Sequence, residues 1–367
     1  MAERRVDFDV DRAFGAENRA RLLDIYFLSV ASEPVSAESA WRHTYRLLMW
    51  IDRTIGLAHC YESDKCQPGR PWYARSLRFH QWLAGELGAS ARGLADEIDW
   101  LFTAAAEDLA RAANTRAITL QERARGQREL YARDNMPLPG EDLELEALIK
   151  DTLVSGLGEV PPMELIRLLS QRIQAYRSSE NKRKNLVGEG FEDTLAVLFR
   201  RLPAIEANYE ILVRPALHEL PGFNPPRGGE KTRKVDLALV QRQDRRRVLV
   251  SCKWSVRSDR EEQFATDFDT YARLEASGRS FDYVLVTNEF DPARLAAACD
   301  MRRLNQAIFS DVVHVNPRGP RVVYETSVSA AAQRQNSGVT RALDYIDSGR
   351  IASLEAWLSR LGARVDP

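Results

Sequence analysis

Asp236 and the run Ser251-Cys252-Lys253 are the residues whose types and spacing most directly offer chemistry. Each lies in a short, mostly apolar stretch, residues 234–240 and 247–253, and the polar segment 241–246 joins the two as a turn. A turn centred between Gln243 and Asp244 pairs Asp236 with Ser251 across an antiparallel hairpin. Side chains alternate along a strand, so Asp236, Ser251 and Lys253 share one face while Val235, Leu237, Leu239, Val248 and Val250 fill the other. A carboxylate and a lysine converge there, and a structural salt bridge explains the pattern as well as a reactive site does. The surrounding charge is uneven. Between Arg227 and Arg260 stand eleven basic residues and four acidic ones, a local charge of +7 in a chain whose formal net charge is -1. Such a segment suits a phosphate backbone.

The elements that must position these groups follow from periodicity. Up to about residue 180 apolar residues recur at three and four spacing: Leu23, Tyr26, Phe27 and Val30; Trp41, Tyr45 and Leu48; Ile98, Leu101 and Ala105; Leu165, Leu168, Leu169 and Ile173. These stripes predict core-facing helices, interrupted by a loop over 56–75. The charged stretch 178–185 reads as a boundary, and a helix is predicted to open near Gly190. Beyond the hairpin come a helix over 260–275, a strand over 283–287, a helix from Pro292, a strand over 312–315 and a helical tail over 340–361. This order predicts an α/β (α+β) body, a mixed sheet flanked by helices, over 181–330. An all-helical accessory domain, 1–180, precedes it, and a helical tail, 331–367, follows.

Length and composition bound the rest. At 367 residues, 44% hydrophobic with seven Trp, the chain can build two cores and is not a disordered protein. No apolar run reaches the roughly 18 residues that span a bilayer, and no secretory signal opens the chain, so no membrane partner is expected. Four scattered Cys make no disulfide framework, which suits a reducing cytoplasm. His59, Cys60 and Cys66 lack zinc spacing, no phosphate-binding loop is present, and Trp41, Trp50, Trp72, Trp82 and Trp100 fit helix cores.

Asp236 with Ser251-Cys252-Lys253 resembles the active-site hairpin of the PD-(D/E)XK nuclease superfamily, with Val235 for the usual Pro and Ser251 for the second acid. Within that superfamily the CCGG-recognising type II restriction endonucleases also carry Ser there and supply the missing carboxylate from a helix, with thirteen residues between it and the lysine. That spacing lands on Asp267, where the family usually has Glu. The family also carries an Arg-Ser-Asp-Arg or Arg-Thr-Asp-Arg element four residues after the lysine, and here it is Arg257-Ser258-Asp259-Arg260. The resemblance covers about residues 186–290. It implies a restriction-endonuclease-like fold, a Mg²⁺ cofactor held by Asp236 and Asp267, and a Glu from the first helix of the body. Glu189 and Glu192 compete for that place, with Glu192 preferred because it falls one turn before Leu195.

Residue chemistry stands beside this resemblance. Asp267 lies on one stripe with Phe264, Phe268 and Tyr271, and a carboxylate facing a core is costly unless it is paired or metal-bound. Arg257 and Arg260 offer forks for guanine, Asp259 can accept from cytosine N4, and Ser258 with Glu261 makes a capping box. The resemblance implies a Mg²⁺-dependent type II site-specific deoxyribonuclease that cuts double-stranded DNA at CCGG or a close variant, leaving 5′-phosphate and 3′-hydroxyl ends. Lys253 would position or activate the attacking water. Its implied setting is a homodimer in the bacterial cytoplasm beside a cognate DNA methyltransferase. A modification-dependent or repair nuclease, or a catalytically inactive DNA-binding relative, remain open as alternatives.

Overall fold

The computed structural model describes residues 16–31, 33–49, 71–88, 118–119, 122–123, 125–126, 142–256, 260–303, 305–327 and 337–363. Compact contacts divide the chain into two units, one of residues 1–22 and 100–186, the other of 23–99 and 187–367. The described elements of the first are mainly helical: α1 (Ala16–Ile25), which crosses into the second unit, then α4 (Leu143–Leu157) and the start of α5 (Met163–Arg200). Asp142 caps α4 by accepting from Leu145 N, and Gly158 ends it in the left-handed conformation at φ 75.

Three helical expectations are corrected. Helix α5, 38 residues long, runs unbroken through 178–185, so Gly190 lies inside that helix instead of opening one, while the division between the two units falls beside the stretch, at 186/187. The stretch contains Ser, Glu, Asn, Lys and Arg but neither Gly nor Pro, so nothing in it stops a helix. The stripe on α5 does not face a core at every position: Leu165, Leu168 and Ile173 are exposed, and Ile166 is buried instead. The expected loop over 56–75 gives way to helix at Pro71, where α3 (Pro71–Glu86) begins with Pro in the first turn. The stripe Ile98, Leu101 and Ala105, and His59, Cys60 and Cys66, lie outside the described residues.

The second unit is mixed α/β and holds a six-stranded sheet. After α2 (Ala40–Met49) and α3, its body starts with the end of α5 and the short α6 (Pro203–Asn208). Strands β1 (Tyr209–Val213), β2 (Leu237–Gln241) and β3 (Arg247–Lys253) are antiparallel neighbours. Helix α7 (Arg260–Leu274) then crosses to β4 (Asp282–Thr287), parallel to β3. Helix α8 (Pro292–Asp300) leads to β5 (Asp311–His314), and α9 (Arg318–Ser327) and α10 (Ser337–Asp347) lead to β6 (Ile351–Ser353), both strands parallel. Helix α11 (Leu354–Ala363) ends the described chain. The tail is therefore not wholly helical: β6, apolar and buried, joins the sheet as its edge strand.

Strands β2 and β3 are buried along nearly their whole lengths, as strands covered on both faces must be. Ala238, Val240 and Leu249 on one face join Phe264, Tyr271 and Leu274 of α7 and Leu295 and Cys299 of α8 in one cluster. The hairpin register pairs Leu237 with Val250 and Leu239 with Val248, which carries Asp236 opposite Ser251. Asp236 and Lys253 thus lie at the open end of the hairpin, on the side that α7 covers.

Candidate active site

Asp236 receives three donors on one oxygen. Lys253 Nζ donates to its Oδ2 at 2.6 Å, Cys252 N at 2.9 Å and Ser251 Oγ at 3.3 Å. Among the described residues no donor reaches Oδ1, so one lone-pair-bearing atom of a half-buried carboxylate stays open. Burial works against the Lys253 charge, but the Asp236 carboxylate outweighs it and holds the ammonium above its ordinary pKa. Lys253 is therefore a charged donor at neutral pH and not a base.

Aromatic packing fixes this strand end. Trp254, the next residue, meets Phe191 edge-on at 5.4 Å between ring centres and Tyr45 at 6.2 Å. Phe191 immediately precedes Glu192, so a single aromatic contact anchors the backbone beside both Lys253 and Glu192. Glu192 is buried, and its pKa rises to about 7 through burial and the nearby Asp236 charge, against the pull of Arg214. Arg214 Nη1 lies 2.5 Å from Glu192, and its Nη2 lies 2.5 Å from Asp193. Glu189, the competing position, is half-buried one turn earlier on α5.

Asp267 enters from α7 with only 14% of its side chain exposed. Burial raises its carboxyl, Arg233 opposes this, and Asp236 adds to it. Arg233 Nη1 stands 3.5 Å from Asp267 Oδ1. Asp236, Ser251, Lys253 and Asp267 all line one cavity of about 510 Å³, together with Lys231, Arg233 and Lys234. The structure brings these four predicted residues together. Glu192 feels the charge of Asp236 but does not line that cavity. Arg257, Ser258 and Asp259 lie outside the described residues, as does the side chain of Arg260, whose backbone opens α7.

The +7 segment is not one patch in space. Strand β3 rises about 3.3 Å per residue, so Arg247 and the turn before it sit roughly 20 Å from Lys253. Arg246 pairs there with Asp282 at 2.9 Å and Arg245 with Glu210 at 3.9 Å. Arg247 is 2% exposed and is no part of any surface. Its guanidinium donates to Pro221 O and Glu275 Oε1, both at 2.9 Å, and to Arg279 O at 2.7 Å. The basic groups beside the site are Lys231, Arg233 and Lys234, which line the cavity from the loop before β2.

Sequence reasoning missed Arg214 and Asp193. Arg214 has φ 49, a conformation that non-glycine residues seldom adopt, and its N–H donates to Asp236 O at 3.0 Å. The strained residue thus ties the Asp236 backbone to β1 while its side chain holds Glu192. No local pattern marks such a position in advance.

Among the described residues no three His, Cys, Asp or Glu side chains gather closely enough to hold a metal by themselves. What is gathered suits a hard, water-retaining cation: Asp236 and Asp267 on one cavity, with Glu230 at its rim held by Arg273, and an unengaged oxygen on Asp236. Mg²⁺ takes one or two carboxylates and completes its shell with water and substrate phosphate, so Asp236 and Asp267 fit it and would hold it. The molecule is thus a mixed α/β protein whose central sheet carries a carboxylate–lysine cavity rimmed by cations. Its sequence matches no known family profile and no curated protein.

Proposed function

We propose that this protein is a Mg²⁺-dependent nuclease of the PD-(D/E)XK type, acting as a type II restriction endonuclease on double-stranded DNA at CCGG or a close variant. One observation carries the reading: Lys253, Ser251 and the Cys252 N–H converge on Asp236 Oδ2, with Asp267 facing the same cavity from the next helix. The mixed sheet flanked by helices supports it, as do the cations of the cavity rim. Bound Mg²⁺ would supply charge neutralisation at the phosphate and an acidified water. Lys253, held charged by Asp236, donates a hydrogen bond to the attacking water or a phosphate oxygen. Glu192, held by Arg214 outside the cavity, assists by placing its charge near Asp236. Water adds to phosphorus and the bond to O3′ breaks, leaving a 5′-phosphate and a 3′-hydroxyl. Cutting both strands of a symmetric site calls for two copies, so a homodimer and a companion methyltransferase belong to this reading.

A catalytically inactive DNA-binding relative is the second reading, favoured by the lack of a three-ligand cluster among the described residues. Incubation with a plasmid of known sequence and Mg²⁺, followed by mapping of the ends, separates the two. Discrete fragments ending at CCGG-type sites support the restriction enzyme; a smear or methylation-dependent cutting supports another nuclease, and intact plasmid supports the inactive relative.

A further inference from the structure

We propose that Arg233 serves two partners in turn: it neutralises Asp267 while the cavity holds no cation, and it moves to a DNA phosphate when a divalent cation takes that carboxylate. The inference rests on the nuclease reading and assigns a role to a residue that the reading leaves without one.

Three observations carry it. First, the guanidinium is under-engaged. Among the described residues its side chain makes one ion pair, 3.5 Å long, and no hydrogen bond, whereas Arg247 donates to five acceptors and Arg214 makes two close pairs. A five-donor fork with its donors uncommitted is a receptor for an anion. Second, the backbone is fixed while the side chain reaches solvent. Arg233 O accepts from Leu217 N at 2.9 Å, and Lys234 bridges Ala216, yet the Arg233 side chain is 44% exposed. Third, Arg233 already faces an oxygen of the candidate metal ligand Asp267, so a cation would compete with it for that atom. Asp267 Oδ1 faces Arg233, and both residues line the cavity with Asp236 and Lys253.

A cation at Asp236 and Asp267 removes the charge that retains Arg233 and repels its guanidinium. Glu230 on the same cavity is already held by Arg273, so the phosphate that the cation would bind is the anion left for the freed fork, and a guanidinium can meet two phosphate oxygens at once. Metal binding and DNA binding are then coupled through this one side chain, each favouring the other.

Mn²⁺ is the probe. Free Mn²⁺ is followed by its paramagnetic resonance signal during titration of the metal-stripped full chain without DNA, for the wild type, Arg233→Gln and Arg233→Lys. Loss of the competing charge in Arg233→Gln tightens Mn²⁺ binding on the order of fivefold, the scale of a half-exposed ion pair. In a second measurement, binding of a duplex oligonucleotide in Ca²⁺ is followed against salt. Arg233→Gln lowers the slope of log affinity against log salt by about one, the loss of one phosphate contact, and Arg233→Lys retains it. Unchanged Mn²⁺ affinity in Arg233→Gln overturns the exchange, and an unchanged salt slope overturns the phosphate role. Failure of the wild type to bind Mn²⁺, or binding that survives Asp236→Ala, overturns the nuclease reading and this inference with it.

Discussion

Lys253 and Asp236 meet at 2.6 Å across adjacent strands, and the contact uses only one oxygen of the carboxylate. The lysine thereby stays charged, and Asp236 keeps Oδ1 for another partner. The geometry leaves half of the carboxylate directed elsewhere. The same pairing ties the charge of Lys253 to the register of β2 and β3, so the chemistry depends on a hairpin that neither residue alone defines.

Asp267 faces the cavity beside Asp236, and its removal leaves the cation Asp236 and a Glu230 that Arg273 already holds. Asp267→Ala is expected to lower the Mg²⁺-dependent cleavage rate on the order of 10²–10³-fold, the effect of losing several kcal/mol of metal-based stabilisation. Asp267→Glu keeps the carboxylate and is expected to retain cleavage. Initial rates on a supercoiled plasmid measure both, and equal activity of Asp267→Ala and wild type would remove Asp267 from the site.

Arg247 is a structural clamp far from the cavity. It binds Glu275, Ser277 and three main-chain carbonyls and lies over the Phe223 ring at 5.1 Å. Burial would raise the Glu275 carboxyl, but Ser277 and Arg247 hold it at about 2. Arg247→Met is expected to destabilise the fold by about 1.5–3 kcal/mol, because it strips a buried guanidinium's hydrogen bonds from the half-buried Pro221 carbonyl and Glu275 carboxylate. Neighbouring Gly222 has φ 83, and a Cβ there would collide with the guanidinium, so Gly222→Ala is expected to be destabilising too. Chemical denaturation measures both, and a loss below about 1 kcal/mol for Arg247→Met would contradict the clamp.

Glu289 fastens the chain just beyond Lys253. Its Oε2 accepts from Val256 N at 2.6 Å, and its Oε1 accepts from Phe290 N at 2.8 Å and Asp291 N at 2.7 Å. Burial pushes its carboxyl from 4.5 to about 7, against the hydrogen bonds from Asp291 and Val256. The folded protein therefore holds this proton more tightly than the unfolded chain, and the contribution to stability is full below 4.5 and lost as pH rises through 7. Glu289→Gln stays neutral throughout and turns an amide N–H₂ toward a main-chain donor, at a cost of about 1–3 kcal/mol. The wild type should exceed the variant most at the acid end, with the gap narrowing as pH rises to 7. Burial lowers the His314 imidazole to about 4, which acts with the opposite sign but is common to both proteins. Denaturation midpoints across this range test the point, and a gap independent of pH would contradict it.

The hairpin was legible because alternation and one turn fix a register, and the register pairs Leu237 with Val250 as the turn centre requires. Charge was read less well, because sequence distance says little about separation across a strand: Arg247 and Lys253 share a basic segment but lie at opposite ends of β3. Arg247 looked like a surface charge because its partners, from Pro221 to Ser280, come together only in three dimensions. The polar run inside α5 reads as a boundary, and the units do divide beside it, but the helix does not break there, because polarity marks solvent exposure as readily as a break. Arg214 had no signal at all, since its role depends on a strained backbone angle and on partners twenty-one and twenty-two residues earlier. β6 was hidden by its three-residue length, too short for alternation to register.

The central claim is that Lys253 works in a metal-dependent phosphodiester cleavage. Supercoiled plasmid incubated with wild type and with Lys253→Ala, each in Mg²⁺ and in chelator, tests it most directly, with circular dichroism to show that both are folded. The account predicts discrete linear fragments from the wild type in Mg²⁺ alone, no cleavage by Lys253→Ala, and retained DNA binding by the variant. Cleavage by Lys253→Ala at the wild-type rate would contradict it.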